Sequence, residues 1–379
     1  MANSIFHFFV RFMPYGTANF SAVAALAKSI FFILLFTMPL AGILTWMERR
    51  QSAMMQDRVG PNRANIGSFR FWGLLHFVAD AVKMIFKEDF VPPKADKFLF
   101  ALAPILALAP VLIATAIIPF GAPLCYGHMT HAVVPGACVA PIELQAARLD
   151  AGLLFYFAIA SLAVYGTALA GWASHNKWAL MGGMRATSQM MSYEVTMGMA
   201  MMAMFLLYGT LEPGAMVNAQ GDWPWQWGIA GVPQFIAFLL FLTAAIAESK
   251  RTPFDIPEGE SEIVGYFVEY SGMRFGMFFL GEFVEIITTS AIMVTVFFGG
   301  WHFPGASSLV TSLHNWAFVL VSIGVWSLKV FLLCVFQLLI RWSLPRLRAD
   351  QLLRLGWQRL LPISIANVVL AAGWILLRK

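Results

Sequence analysis

Charged residues are scarce in this chain, and their scarcity argues against a water-soluble globular protein. Asp, Glu, Lys and Arg make up 12% of the 379 residues, whereas a typical soluble domain contains about 25%. Hydrophobic residues make up 59%. Apolar runs of about 20 residues, long enough for a helix to cross the hydrocarbon of a membrane, recur along the chain. The composition therefore predicts an integral membrane protein.

Cysteine is also scarce, and the three cysteines are too few for a disulfide scaffold or an iron-sulfur cluster. Electrons are therefore not expected to be carried by metal bound to this chain, and we expect no flavin on it either. Cys125 and Cys138 flank His128 and His131 in a C-x2-H-x2-H-x6-C string. The pattern leaves open a disulfide, which we favour, or a zinc site. Cys334 lies within an apolar run and is expected to contribute packing only.

Internal repeats, low-complexity linkers and a start point for a separate soluble domain are all missing, so residues 1–379 are predicted to form one integral-membrane domain. Backbone groups in lipid must satisfy each other, and the apolar runs do not alternate as barrel strands do, so the runs are expected to be helices. The predicted fold is all-α and polytopic, with eight transmembrane helices at about 24-47, 98-120, 151-171, 188-210, 232-248, 275-299, 315-340 and 359-377.

Basic residues are distributed very unevenly among the predicted loops. Segment 48–97 carries nine Lys and Arg residues and segment 341–359 carries five, whereas segments 211–231 and 300–314 carry none. Because cytoplasmic loops hold the positive excess, the first two segments are predicted to face the cytoplasm and both termini to be extracytoplasmic. The positive face is expected to meet lipid headgroups and a docked soluble partner, with no nucleic acid involved.

The first cytoplasmic segment contains a helical stripe of polar residues. His76, Asp80, Lys83 and Lys87 are spaced four, three and four residues apart within the otherwise apolar segment 68–88, which predicts an amphipathic helix. Such a helix would lie along the cytoplasmic surface of the membrane or in a groove of the bundle. A solvated stripe without chemistry is the plainer alternative.

Ionisable residues inside predicted spans are costly and indicate functional sites. Glu194 lies about two turns inside one span, Glu282 and Glu285 share a face of another at i, i+3 spacing, and Lys329 lies near the middle of a third. Together they suggest a proton pathway. A carboxyl group hydrogen-bonded to a neighbouring helix is the structural alternative for Glu194.

An acidic cytoplasmic loop precedes the sixth predicted span. Glu258, Glu260 and Glu262 alternate along this turn-rich segment, and closely spaced carboxylates cannot all ionise cheaply, so some of their pKa values should rise. Groups poised in this way can exchange protons near neutral pH. A solvated acidic loop is the alternative interpretation.

Long strings along the chain point to a known family. They are M-E-R-R at 47-50, D-R-V-G-P-N-R at 57-63, M-R-A-T-S-Q-M-M-S-Y-E at 184-194, R-T-P-F-D at 251-255, E-G-E-S-E at 258-262, E-Y-S-G-M at 269-273 and R-W-S-L-P-R-L-R at 341-348. In this order they resemble the H subunit of respiratory complex I, the proton-pumping NADH:quinone oxidoreductase. The resemblance covers essentially the whole chain.

The resemblance implies a subunit of the bacterial inner membrane that is not catalytic alone. Iron-sulfur subunits would dock on its cytoplasmic face and share a quinone chamber with it, and other membrane subunits of the pumping arm would adjoin it. The residues implied for quinone binding are Glu48, Arg49, Arg58, Arg63, Asp80 and Arg274. Those expected in the proton relay are Glu194, Glu258, Glu260, Glu262, Glu269, Glu282, Glu285 and Lys329.

The chain departs from the family pattern in two places: segment 262–269 is one residue shorter than usual, and loop 121–150 is longer. The first departure alters the geometry of the loop that carries Glu258 and Glu260. Two other functions stay open. One is the related membrane subunit of a membrane-bound hydrogenase or formate hydrogenlyase, although the M-E-R-R and D-R-V-G-P-N-R strings favour the quinone enzyme. The other is a free-standing ion transporter, which would often show internal repeats and broken helices.

Overall fold

The chain is almost entirely helical in the computed structural model, which describes residues 18–65, 67, 71–125, 141–259, 262–312 and 314–378. Within these residues, one pair of two-residue strands, Leu124–Cys125 and Pro141–Ile142, runs antiparallel. The prediction of an all-α membrane fold is confirmed.

Numbered in chain order, the α-helices are α1 Ala18–Phe32, α2 Met38–Met55, α3 His76–Phe86, α4 Lys97–Ala114, α5 Gly152–Ala160, α6 Ala163–Ala173, α7 Lys177–Tyr208, α8 Pro213–Asn218, α9 Val232–Glu248, α10 Gly272–Phe297, α11 Ala306–Ser312, α12 Asn315–Ser343, α13 Ala349–Arg354 and α14 Leu361–Arg378.

Several of these helices join into longer membrane spans. A π-helical turn connects α1 to α2, another connects α13 to α14, and α5 continues into α6. Helix α9, at 17 residues, is at the short end of what crosses a membrane, so the count of eight spans stays a prediction. In the part of the chain that the structure describes, seven spans are long and apolar enough to cross: Ala24–Met55, Lys97–Ile117, Gly152–Ala173, Lys177–Tyr208, Gly272–Phe297, Asn315–Ser343 and Ala349–Leu377.

Helix α10 lies at the centre of the bundle. Every residue from Gly281 to Phe297 is buried, whereas outer helices keep large apolar side chains exposed, such as Leu34 of the first span and Leu377 of the last. An exposed apolar exterior around a packed centre is what a bundle surrounded by lipid or by other membrane subunits requires. The centre of the bundle is therefore the place where a polar side chain costs most.

Helix α7 begins earlier than the predicted span at 188–210, because two local features extend it. The side chain of Asn176 accepts a hydrogen bond from the backbone N–H of Trp178 at 3.0 Å and so caps the helix at its start. Gly182 then lets the helix approach the acidic loop: a Cβ at this position would lie 2.9 Å from the backbone nitrogen of Tyr266. The segment before 188, predicted as a loop, thus forms about three more turns.

The predicted amphipathic helix is present as α3, which is shorter than the segment 68–88, and residues 68–70 lie outside the described part. Its apolar side lies across two spans. Phe77 packs against Gly42 of α2, and Met84 packs against Gly276 of α10. Because glycine carries no side chain, α3 packs close to α2 and α10 at both contacts. The two contacts set the size of the space between α3 and these two spans.

Candidate functional site

Four charged side chains from distant parts of the chain meet at one buried point, which we call the arginine cluster: Glu48, Arg251, Glu282 and Arg341. Glu48 accepts a hydrogen bond from Arg251 Nη1 at 2.6 Å and another from Arg341. Arg251 Nη2 lies 3.5 Å from Glu282 Oε2, and its guanidinium lies 4.1 Å from the ring centroid of Phe283. Each buried charge therefore has an opposite partner, which burial in a membrane bundle demands.

A series of four carboxyl groups, three of them buried and the last half-buried, leads from the arginine cluster into the bundle; we call it the acid column. Its members are Glu282 and Glu285 on α10, Glu248 at the end of α9, and Glu194 on α7. Glu285 and Glu248 line one small cavity, and Glu248 interacts electrostatically with Glu194. Glu282, Glu285 and Glu248 are each less than a tenth exposed. Carboxyl groups in these positions have almost no contact with solvent, but they can exchange protons with one another along the column.

Two carboxyl groups of the acidic loop adjoin the arginine cluster from outside the membrane spans. Burial raises the pKa of Glu258 well above its usual range, and the adjacent Glu282 raises it further. Burial also raises the pKa of Asp255 to about 6, although the nearby Arg346 opposes the shift. Both groups therefore hold protons at a pH closer to neutrality than an ordinary carboxyl does.

Two cavities meet beside the arginine cluster. The apolar groove, of about 660 Å³, lies between α2, α3 and α10, and Gly42, Phe77, Ala81 and Phe283 are among the residues that line it. The polar mouth, of about 530 Å³, includes in its lining Glu48, Arg49, Ser52, Arg58, Arg63, His76 and Trp342.

Arg49 lines both cavities and lies 2.6 Å from Asp80 of α3. Glu48 belongs both to the polar mouth and to the arginine cluster. A molecule in the mouth would therefore lie next to the carboxylate of Glu48, which the arginine cluster connects to Glu282 of the acid column.

Lys329 lies at the other end of α10. Its Nζ donates hydrogen bonds to the carbonyl oxygens of Phe298, Gly300 and His302 at 2.8, 3.1 and 2.5 Å, and it lies 4.2 Å from the ring centroid of Trp227. These carbonyls follow the last turn of α10, where a positive charge is favourable. Its pairing, left open by the sequence, is therefore with backbone oxygens.

Comparison with known proteins gives one consistent result. A family model described as NADH dehydrogenase matches residues 27–372. The chain is 44% identical over 352 residues to an H subunit of NADH-quinone oxidoreductase from Geobacter metallireducens, which covers 92% of this chain and 95% of the relative. The chain belongs to this family of NADH-quinone oxidoreductase H subunits.

Two further relatives are named as H subunits of the same enzyme. The chain is 39% identical over 368 residues to one from Koribacter versatilis, covering 96% of this chain and 100% of the relative. It is 43% identical over 342 residues to one from Methylococcus capsulatus, covering 90% and 95%. The resemblance seen in the sequence strings is thus confirmed, and this member of the family is a membrane subunit of an oxidoreductase complex. The hydrogenase and transporter alternatives are not favoured.

The residues that the resemblance assigns to quinone lie mostly around the two cavities. Glu48, Arg49, Arg58 and Arg63 line the polar mouth, and Asp80 lines the apolar groove. Arg58 donates to Gln56 Oε1 at 2.6 Å. Arg274 lies beside the groove, where it pairs with Asp89 at 3.1 Å and lies 5.4 Å from the ring centroid of Phe100. Their roles toward quinone stay predictions.

Some residues assigned to the relay lie away from the acid column. Glu262 is exposed and pairs with Arg185 at 2.7 Å, and that hydrogen bond lowers the pKa of Glu262. Glu269 accepts a hydrogen bond from the side-chain amide of Asn176 at 2.7 Å. Glu260 lies outside the described residues. The relay roles of these three, and of Lys329, stay predictions.

Sequence reasoning did not assign Glu248, Arg251 or Arg341 to the site. Glu248 had a visible signal, since it ends an apolar helix. The two arginines begin two of the quoted family strings, but nothing in the sequence links them to Glu48. They are separated from it by 203 and 293 residues, and only the folded bundle brings them together.

The string between Cys125 and Cys138 is the candidate disulfide or zinc site of the sequence. Residues 126–140 lie outside the described part, and so does the side chain of Cys125, so the disulfide and zinc alternatives stay open. Within the described residues, no group of three or more His, Cys, Asp and Glu side chains is placed to hold a metal ion. Cys334 is buried, with its Sγ 3.4 Å from Ser290 Oγ.

Proposed function

We propose that this chain forms the membrane wall of a quinone chamber and carries protons between that chamber and the interior of the bundle. One observation supports this above the others: Glu48 lines the polar mouth and also pairs with Arg251 in the arginine cluster. A change of charge in the mouth therefore acts directly on the buried carboxyl groups. A membrane anchor without a coupling role would not need such a costly series.

The two cavities suit the two parts of a quinone. The apolar tail matches the groove, whose lining is mostly hydrocarbon and aromatic. The two carbonyl oxygens of the head group accept hydrogen bonds, which Arg49, Arg58 and His76 of the mouth can donate. Both volumes fall within the range of about 300–1,000 Å³ that is usual for small-molecule sites. Arg274 would support the groove from its position beside Met273 and Phe275.

Reduction of the quinone can drive protons along the acid column. Reduction to quinol takes up two electrons and two protons, and until the protons arrive the head group carries added negative charge. That charge competes with Glu48 for the arginines of the cluster, and it raises the proton affinity of the carboxyl groups nearest the mouth. Protons are then drawn from Glu194 and Glu248 through Glu285 towards Glu282 and Glu258. The other predicted relay members would act at the edges of this route.

The surroundings of the chain follow from the same proposal. The polar mouth, with the exposed residues Val59 and Arg58 at its rim, is the surface on which soluble iron-sulfur subunits would dock to close the chamber. The exposed apolar sides of the outer spans would meet lipid and the neighbouring membrane subunits of the pumping arm. The basic loops support an orientation in a bacterial inner membrane in which this face points to the cytoplasm and both termini lie on the opposite side. The whole chain acts as one membrane domain.

The substitution Ala81→Trp tests the quinone assignment. We expect the quinone concentration for half-maximal turnover to rise about tenfold, equivalent to about 1.4 kcal/mol of binding, because an indole on the wall of the groove occupies space that the quinone tail needs. NADH oxidation with an artificial acceptor should stay at the wild-type rate, since that reaction does not use the groove.

Ala79→Trp is the matched control, because Ala79 is exposed on the same helix and does not line the groove. The control should behave as wild type in both assays. Unchanged quinone affinity in the Ala81→Trp complex would place the quinone elsewhere.

A further inference from the structure

A buried tyrosine lies beside the acid column. Tyr156 of α5 is 2% exposed. Its hydroxyl contacts the side chain of Thr288, and it interacts electrostatically with both Glu248 and Glu285. A phenol buried in a membrane bundle must have polar partners, or its burial costs several kcal/mol. Here the polar groups near the phenol are the hydroxyl of Thr288 and the two carboxyl groups in the middle of the column.

Tyr156, Glu248, Glu285 and Thr288 line one small cavity at the break between α5 and α6. The rest of the lining is small and apolar, chiefly alanine, so the cavity persists because these side chains are too short to fill it. It offers about 10 Å³ to the centre of a water molecule, which is space for about one water. A cavity of this size lined by several polar groups is suited to hold water rather than to stay dry.

One carboxylate oxygen of a residue that lines this cavity needs a hydrogen-bond donor. Glu248 is 5% exposed, and among the described residues no hydrogen-bond donor contacts its Oε2. An unpaired carboxylate oxygen at this depth carries the full cost of its desolvation. A donor placed in the cavity would remove that cost, and a bridging water has the two protons needed to serve Glu248 and a second acceptor.

We infer that this cavity is a binding site for a single water that joins Glu285 to Glu248, and that Tyr156 is the residue that positions this water. The inference rests on the proposed function, since it names the link between two members of the acid column. Tyr156 and Thr288 hold the water through their hydroxyl groups, and the carboxyl groups lie on either side of it.

Proton transfer through the site is balanced. Protonated Glu285 gives its proton to the water, while the water gives one of its own protons to the carboxylate of Glu248. Glu285 ends as the carboxylate and Glu248 as the acid, and the water and Tyr156 are unchanged. The step needs no reductant or oxidant, and it runs in either direction according to the charge at the arginine cluster.

Tyr156→Phe is the test, measured in the purified complex reconstituted into proteoliposomes. Removing the hydroxyl leaves the water without its positioning donor, so we expect proton translocation coupled to quinone reduction to slow about tenfold. The infrared C=O band of the protonated carboxyl groups should also shift to higher frequency, because their hydrogen bonding weakens. A purely structural loss would lower the amount of complex without moving this band.

Tyr165→Phe is the control, because Tyr165 is exposed on the adjoining helix α6, and it should match wild type in both measurements. Glu248→Gln distinguishes a failure of the water site from a failure of the acid column. If Glu248→Gln stops translocation while Tyr156→Phe matches wild type in rate and spectrum, the water site is overturned and the acid column stands. If Glu248→Gln itself pumps normally, the column is wrong and the inference falls with it.

Discussion

Replacing Arg251 by glutamine is expected to destabilise the assembled complex more than any other single change to the arginine cluster. Arg251 is buried between Glu48 and Glu282. Its loss leaves Glu282 without a cation and Glu48 with Arg341 alone, and removing one partner of a buried ion pair costs about 3–5 kcal/mol. We expect a lower inactivation temperature in mild detergent and less complex recovered from the membrane.

Two further variants make this test specific. Arg348→Gln removes an arginine that is exposed and 3.7 Å from Asp350, and an exposed pair of this kind adds little stability, so it should behave as wild type. Adding Glu282→Gln to Arg251→Gln should restore part of the lost stability, because it removes the unpaired charge. Wild-type stability in Arg251→Gln would show that the cluster is not a buried charge pair in the membrane.

Glu285→Gln is expected to have the largest effect on function. Glutamine has nearly the same shape but no proton to release, and Glu285 stands between Glu282 and Glu248 in the acid column. Proton transfer by a positioned side chain contributes about a hundredfold or more to a rate, so quinone-coupled translocation should fall by about that factor. NADH oxidation with an artificial acceptor should be unaffected. A pH-sensitive dye in proteoliposomes measures the first rate, and absorbance of NADH measures the second.

Asp350→Asn serves as the control for Glu285→Gln, since it neutralises an exposed carboxylate at the surface. Its translocation rate should equal that of wild type. Normal pumping in Glu285→Gln would mean that protons bypass α10, and the acid column would then be a structural feature of the bundle.

The sequence predicts those parts of the fold that depend on local pattern. Apolar runs of sufficient length reveal the membrane helices, and costly acids within them reveal Glu194, Glu282 and Glu285. Helix α7 begins earlier than its apolar run because Asn176 caps it and Gly182 permits close packing. The cap is a local hydrogen bond and the close packing is a tertiary contact, and a hydropathy profile registers neither.

Long-range contacts explain what the sequence could not predict about the site. The charge pattern treats Glu258 and Glu262 alike, yet burial raises the pKa of the first and a hydrogen bond from Arg185 lowers that of the second. Lys329 lies within a membrane span as the acids do, but in the folded chain it donates hydrogen bonds to backbone carbonyls that follow α10. The sequence does not indicate a role for Tyr156, since an aromatic residue in an apolar helix usually packs against its hydrophobic neighbours.

The most direct test of the central claim is to purify the chain in mild detergent with whatever it binds, identify the partners by mass spectrometry, and measure NADH oxidation on the same sample. We predict that NADH-oxidising iron-sulfur subunits co-purify and that the activity depends on added quinone and is blocked by quinone-site inhibitors. Hydrogenase partners without inhibitor-sensitive NADH oxidation would contradict the account.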